Sequence, residues 1–443
     1  MSRDAKHGSW WSSLRRSKYS VASVVAYTLF TDMVVYGVVI PVLPLLVVER
    51  LHGDTRMVGL LFGCYAFGLL LATPVFAILS DKYENRRYPM MLGLIGMAVS
   101  TIAFAWAETY FWLIVARMAQ GVSGGASWTI GLGMLADVFP KERLGVVMGT
   151  VLTAHTFGFA VGPPLAGWIL EYWGYAVPFY VCAVIAFVNF LAIVWISEPV
   201  KHGGMKAAIL EQADHTASDE ETATPSEQTP LIADNNQTES KPSIGMIGLL
   251  KNWRIMSCVL CVTVSASAFS GIEPALPIYL RDQYGASSST TGFIFVFMVV
   301  PAFLAPIIGY MSDKYGRKAI SAGGMIMMAI ASPILAIHYS SVYLIIPSLM
   351  LFGLSSPMTL TPILPEMGEV VHEIGGAAYA QVYALYNMAF STGMFLGPVA
   401  AGFLMDTGGF TAVMVAFAIS LVVCTPILVD WVDVWHKIRN RNA

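Results

Sequence analysis

Twelve apolar runs, each about twenty residues or longer, divide this 443-residue chain and fix the solvent in which it folds. They lie near 20–46, 58–80, 89–107, 111–136, 146–170, 177–197, 255–280, 289–311, 320–338, 342–364, 378–404 and 410–429. At about 1.5 Å of rise per residue, such runs match a hydrocarbon core about 30 Å thick. In lipid every backbone N–H and C=O must be paired within the protein, so each run is expected to be a transmembrane helix. With 56% hydrophobic and 12% charged residues, the composition excludes an array of soluble domains. About twenty polar and basic residues precede the first run, which is too long for a signal-peptide core and is expected to remain as a span.

The few charges are unevenly placed. With both termini inside, the inner segments hold 21 of the 25 Lys and Arg residues, the outer loops hold Arg50, Arg56 and Arg281, and Arg117 is left within a span. That positive-inside bias sets the expected orientation. The chain then divides into a cytoplasmic tail (1–19), a six-helix bundle (20–198), a cytoplasmic linker (199–250), a second six-helix bundle (251–430) and a cytoplasmic tail (431–443). The linker is rich in Glu, Asp, Ser, Thr and Pro, and is expected to be disordered. Within it, Glu227-Gln-Thr-Pro-Leu231-Ile232 has the form of an acidic dileucine signal read by sorting adaptors, a form that also arises by chance in acidic linkers. Asn236-Gln-Thr238 is a glycosylation sequon that this topology leaves unmodified in the cytoplasm. Residues 244–254 are expected to lie along the inner interface as a short amphipathic helix.

The two bundles read as copies of each other. Gly309-Tyr-Met-Ser-Asp313-Lys-Tyr-Gly316-Arg317-Lys318 closes one apolar run, and a degenerate copy, Ala77-Ile-Leu-Ser-Asp81-Lys-Tyr-Glu-Asn85-Arg86-Arg87, closes another 232 positions earlier. Pro41 and Pro44 recur 233 positions on as Pro274 and Pro277. Gly158-Phe-Ala-Val-Gly162-Pro163-Pro164-Leu-Ala-Gly167 is echoed by Gly393-Met-Phe-Leu-Gly397-Pro398, displaced by 235. Glycines at this spacing before proline predict kinked helices that pack tightly on a neighbour. Internal repeats place the working site where the halves meet. The repeated loops, through Asp81, Arg86, Arg87, Asp313, Arg317 and Lys318, are expected to gate the inner side, joined by Asp137 and Arg143 after span 4. Asp137 is within reach of Arg86 or Arg87.

Ionisable residues inside the spans carry the functional signal. An ionised side chain at mid-bilayer costs about 2.5–3.5 kcal/mol on insertion scales, so it should face a wet interior and mark a pathway. Asp32 in span 1, Arg117 in span 4 and Glu273 in span 7 are such residues. Tyr36 shares a face with Asp32 at four-residue spacing, and Arg117, Gly121, Gly124 and Trp128 share a face of span 4. His155 in span 5 is either a hydrogen-bonded packing histidine or a proton carrier. Tyr379, Tyr383, Asn387 and Ser391 form a polar stripe in span 11, suited to interhelical bonding or to a cavity wall. Cys64, Cys182, Cys258, Cys261 and Cys424 all sit in apolar runs, so neither a disulfide framework nor a metal site is expected, and no cofactor is implied. No nucleophile motif or His-rich cluster stands at a span end, which argues against an enzyme.

Together these features resemble the major facilitator superfamily over essentially the whole chain. The repeated loop, the Arg117/Gln120/Gly121/Gly124 signature and the Gly158/Gly162/Pro163/Gly167 signature match that family's three best-known motifs, the third being similar to the one of twelve-span drug:proton antiporters. Glu273-Pro-Ala-Leu-Pro277, Asp32 and the Tyr383-to-Gly397 stretch look like the vesicular amine transporter branch and its fungal relatives. The resemblance implies an all-α membrane fold of twelve helices in two pseudo-symmetric six-helix bundles. It implies that Asp32 and Glu273 serve amine recognition or proton coupling and that Arg117 is the buried motif arginine. The chain departs from that branch in carrying Asn387 where the amine carriers have an Asp, Tyr65 where they have a Lys, and no acid in the middle of span 10.

The expected function is proton-coupled antiport of a small amphiphilic, cationic organic compound, by alternating access and with a single chain as the working unit. The partners are then the substrate, protons and membrane lipid, without nucleic acid. A facilitator or proton symporter importing a small metabolite is the alternative within the fold, and a non-transporting receptor or scaffold the alternative outside it. The dileucine form favours a vacuole or another acidic organelle, and the plasma membrane is the other location weighed.

Overall fold

The computed structural model describes Arg15 and residues 17–82, 86–196, 246–373 and 379–428. The first half contains α1 (Lys18–Leu45), α2 (Thr55–Lys82), α3 (Arg87–Trp106), α4 (Tyr110–Val138), α5 (Lys141–Trp173) and α6 (Val177–Trp195). The second contains α7 (Trp253–Tyr284), α8 (Ser288–Tyr315), α9 (Arg317–Leu335), α10 (Val342–Val371), α11 (residues 379–408) and α12 (residues 410–428). No strand occurs among the described residues. Ten of the described helical stretches are long and apolar enough to cross a membrane. Arg117, Gln120 and a run of serines and glycines exclude the 29-residue α4 from those ten, and α11 and α12 count as one because they are joined through Gly409. Gly409, at φ 68 and ψ −170, is the non-helical hinge that makes them two. Twelve spans in two six-helix bundles result.

Prolines mark where the helices depart from the regular pattern. Pro41 and Pro44 each lack a donor, and α1 ends beyond them in a π-helical turn at Leu46–Arg50. Around Pro301, α8 tightens into a 3-10 turn at Val300–Leu304. At Pro362 α10 is interrupted between Leu360 and Ile363. None of these breaks follows from apolar periodicity. Of the interfacial helix expected at 244–254, the described residues from 246 on are helical over Met246–Leu250, and Trp253 and Arg254 begin α7, capped by the Asn252 side chain. The remaining amino-terminal tail, Asn85, the linker with Glu227, Leu231, Ile232 and Asn236, and the carboxy-terminal tail lie outside the described residues, as do the side chains of Asp81, Tyr379 and Tyr383.

The glycine stripes set the helix order. A Cβ on Gly158 would overlap the Phe30 carbonyl, and one on Gly162 would meet the backbone of Gly37, so α5 packs directly on α1. Further along, Gly167 lies against the Ser288 carbonyl and Gly292 against the Pro163 carbonyl, which brings α5 onto α8 of the other half. Gly393 and Gly397 lie against the Thr263 and Ser267 carbonyls of α7, while the Pro398 carbonyl reaches Gly59 of α2. Thus α5 sits between α1 and α8 as α11 sits between α7 and α2. The sequence repeat is a pseudo-two-fold exchange of helices.

Ionic contacts between the halves gather at the end where α1 turns into α2. Arg56 pairs with Asp406, Arg281 pairs with Glu49, and the Ser289 N–H donates to Glu171 Oε2 at 3.2 Å. Thr55 Oγ1 donates to the Gly402 carbonyl at 3.0 Å beside them. At the opposite end the ion pairs among the described residues stay within a half. Arg86 Nε meets Asp137 Oδ2 at 2.7 Å, and Arg317 Nη1 meets Glu369 Oε2 at 2.7 Å. The structure is therefore sealed between halves at the first end, called the closed end below.

Candidate functional site

Arg117 lies at the centre of the membrane-embedded polar cluster and is fully buried. It projects from α4, where Gly121 and Gly124 leave room for α2 and α1 to approach. A Cβ on Gly121 would overlap the Tyr65 carbonyl, and one on Gly124 would sit 2.7 Å from the Tyr65 hydroxyl and 2.9 Å from Asp32 Oδ1. Two glycines four and seven residues after the arginine thus create the space that its neighbours fill.

Three rings enclose the guanidinium. Its Cζ stands 4.8 Å from the Tyr65 ring centroid, 5.1 Å from Tyr36 and 5.6 Å from Phe62, within cation–π range. Nη1 donates to Gln120 Oε1 at 3.1 Å, and Gln120 Nε2 donates to Thr101 Oγ1 at 3.2 Å. Arg117 Nε and Nη2 have no hydrogen-bond partner, and no carboxylate pairs with the guanidinium among the described residues. The cation is held by π faces rather than by a counter-ion.

The carboxylates are instead reached through the tyrosines. Tyr36 OH donates to Glu273 Oε2, and Tyr65 OH donates to Asp32 Oδ1 and Oδ2 at 3.4 and 3.5 Å. The two rings lie 4.8 Å apart, and Phe159 packs 5.9 Å from Tyr36. Asp32 is 4% exposed and Glu273 2%, so both acids are nearly sealed from bulk solvent. Each tyrosine presents its face to the cation and its hydroxyl to an acid. Asp32 belongs to the first half and Glu273 to the second, so the cluster bridges the interface between the bundles.

Asp32, Tyr36, Arg117 and Glu273 are therefore brought together from distant parts of the sequence. The remaining site candidates with described side chains make no hydrogen bond or ion pair to that cluster. His155 is half-buried, stacks edge-on against Trp128 at 5.1 Å, and makes no hydrogen bond among the described residues. Asn387 is half-buried and Ser391 buried, and neither side chain makes a described hydrogen bond to the cluster. Of the two arginines near Asp137, Arg86 takes it, while Arg87 donates to the carbonyls of Ile193 and Val194 at the end of α6. Arg143 is exposed. Asp313 meets Arg317 at 3.3 Å, and Lys318 lies 3.7 Å from Glu366, which also receives Arg254 at 3.1 Å. Tyr65, Phe62 and Phe159 complete the cluster, and no motif of the sequence singles them out for it. Their signal there is slight, an aromatic pair at three-residue spacing in α2.

The family model of the Major Facilitator Superfamily matches residues 25–249 and 258–438. An uncharacterized MFS-type transporter of Schizosaccharomyces pombe is 26% identical over 90% of this chain and 92% of its own length. The vesicular acetylcholine transporter of Drosophila melanogaster is 27% identical over 88% of this chain, which spans 61% of that protein. The synaptic vesicular amine transporter of Mus musculus is 28% identical, over 86% and 67%. Among solved structures, a bacterial homologue of the human lysosomal transporter Spinster, in an inward-facing and unoccupied conformation, superposes with a TM-score of 0.68 at 14% identity, covering 93% of this chain and 96% of that one. The human organic anion transporter MFSD10 gives 0.62 at 17%, covering 93% and 100%. At these identities the structural likeness concerns the fold.

Proposed function

The chain belongs to the major facilitator superfamily and is a multi-pass membrane transporter of a small molecule; from that premise we propose that it exchanges protons for a small amphiphilic organic cation by alternating access. The single observation that carries this reading is the buried Asp32–Tyr65–Arg117–Tyr36–Glu273 cluster, with one acid on each half of the molecule. Coupling needs a carboxylate for which proton and passenger compete, set where rocking of the halves exposes it to either side in turn. The aromatic faces around the cluster suit an amphiphilic cation, since rings that hold a guanidinium can also hold an amine. The vesicular acetylcholine and amine transporters among the relatives support a cationic passenger and an acidic-organelle membrane.

Energy is sufficient for concentrative exchange. A proton moving down a 100 mV potential releases about 2.3 kcal/mol, and each pH unit adds roughly 1.4 kcal/mol. The acids Asp32 and Glu273 bind proton and passenger, Arg117 supplies a fixed countercharge, and the Asp81 and Asp313 loops gate the cytoplasmic side, with both termini in the cytoplasm.

Proteoliposomes carrying an imposed pH gradient test the reading. Cationic and neutral amphiphiles are screened for uptake by wild type, Asp32→Asn and Glu273→Gln. Uptake of cations by the wild type should rise with the gradient, and both variants should lose that dependence. Full gradient-driven uptake by both variants would sink the site assignment. Wild-type flux that ignores the gradient would make the protein a facilitator.

A further inference from the structure

Tyr36 and Glu273 form the one buried side-chain hydrogen bond that crosses between the halves among the described residues. Each end is fixed to its own bundle. Gly37, next to Tyr36, is packed on Gly162 and Pro163 of α5, and Gly271, two residues before Glu273, lies against the Gly397 carbonyl and the Phe417 ring. Neither side chain can follow the other if the bundles rotate apart. The Tyr65–Asp32 contact differs, because both partners belong to the first half and the contact is indifferent to how the halves sit.

The polarity of the bond depends on the charge of Glu273. An ionised Glu273 can only accept from the Tyr36 hydroxyl, whereas a protonated carboxyl can also act as a donor. Hydrogen bonds to a charged acceptor are stronger than those to a neutral one. The other charged or titratable groups of the cluster are Arg117 of α4, over the same Tyr36 ring, Tyr65 of α2 beside that ring, and Asp32 of α1 beyond Tyr65. α10, α11 and α12 meet α7 nearby through Phe352, Gly397 and Phe417, none of which titrates.

We propose that the Tyr36–Glu273 bond locks the empty, ionised carrier in the state sealed at the closed end, with Tyr36 as the positioning residue that forbids rocking until a proton or a cationic passenger takes the carboxylate from it. The proposal rests on the antiport reading and deepens it by making Glu273 the carboxylate for which proton and passenger compete. An antiporter needs such a device, because an empty, ionised form free to rock would let passenger cross without a proton returning. The lock engages only when neither is bound.

Spin-label distances test this with protons as the sole ligand. Glu108→Cys and Ser340→Cys, exposed positions between spans of opposite halves at the closed end, carry the labels, and the five native cysteines are all buried. The wild type should be closed at about pH 8 and increasingly separated towards about pH 5. Tyr36→Phe keeps the ring over Arg117 and loses only the hydroxyl. It should show an at least tenfold larger separated population, on the order of one charged hydrogen bond, at the higher pH and little change on acidification. Glu273→Gln should be separated at both, which guards against misfolding of a single variant. Tyr36→Phe and Glu273→Gln that both open with pH as the wild type does would overturn the lock alone. A wild type whose distances ignore pH would overturn the antiport reading and the lock with it.

Discussion

Glu49, five residues after Pro44, and Arg281, four residues after the matching Pro277, are ion-paired with each other across the two halves. Contact between corresponding segments of the two halves places the pair beside the pseudo-two-fold axis. The neighbouring contacts come as symmetry mates. Arg56 at the start of α2 meets Asp406 near the end of α11, and Ser289 at the start of α8 meets Glu171 near the end of α5.

Reversing one charge of the axial pair should loosen the closed end, and reversing both should restore it. Both partners are more than a third exposed, so the pair is worth only about 0.2–1 kcal/mol. Arg281→Glu is expected to raise the separated population by no more than about fivefold, and Glu49→Arg combined with Arg281→Glu to return it. The distance between labels on Glu108→Cys and Ser340→Cys reads both.

Small residues between the halves should resist enlargement far more than that pair resists reversal. A Cβ on Gly59 or Gly292 would overlap a proline carbonyl of the facing half, while one on Gly149 meets nothing within 4 Å. Overpacking costs about 1–3 kcal/mol, so Gly59→Ala and Gly292→Ala should favour the separated state by roughly five- to hundredfold. Gly149→Ala should leave the distances unchanged, and equal behaviour of all three would contradict the packing described.

Lysine should fail to replace Arg117 although it keeps the charge. The planar guanidinium lies over three rings and donates to Gln120, whereas an ammonium is a compact, strongly hydrated charge. Arg117→Lys is expected to lower gradient-driven uptake by at least about twofold and up to a hundredfold or more, from losing one to two cation–π contacts of about 0.5–2 kcal/mol each. Initial rates over a range of passenger concentrations would show whether binding or turnover carries the loss.

Gly316 and Gly323 should answer alanine in opposite directions. Gly316, between α8 and α9, has φ 104, which costs a residue with a side chain about 1–3 kcal/mol. Gly323 is helical and has open space where a Cβ would stand, so alanine there should gain about 0.4–1 kcal/mol from the unfolded state. Unfolding temperatures in detergent should therefore fall for Gly316→Ala and rise for Gly323→Ala.

The fold is legible in the sequence because lipid leaves the chain so few options. Apolar length announces spans, and motifs recurring at offsets of 232–235 announce two bundles. The glycine stripes of α5 and α11 are readable as packing faces, though not the fact that each serves two partners. Asp32, Arg117 and Glu273 stand out because charge in a span is costly. Their tyrosine intermediaries are harder to see, since the part each plays depends on the rotation of α1 against α2. Tyr36 shows only as a neighbour of Asp32 on one helical face, and Tyr65 only as a departure from the amine carriers. Periodicity gives the face of one helix and says nothing of what another helix turns towards it. The stripe of Asn387 and Ser391 shows the converse, a regular pattern that makes no described hydrogen bond to the cluster.

Two acids share one base in the buried cluster, and the base is embraced by rings instead of by either acid. If both carboxylates are ionised, the chamber stands one unit short of neutrality, and a single positive charge of any origin makes up the difference. Such an arrangement reads valence before shape. Passengers of unlike skeleton would be interchangeable to it provided each brings one plus, while dications and neutral analogues of the same outline would be turned away.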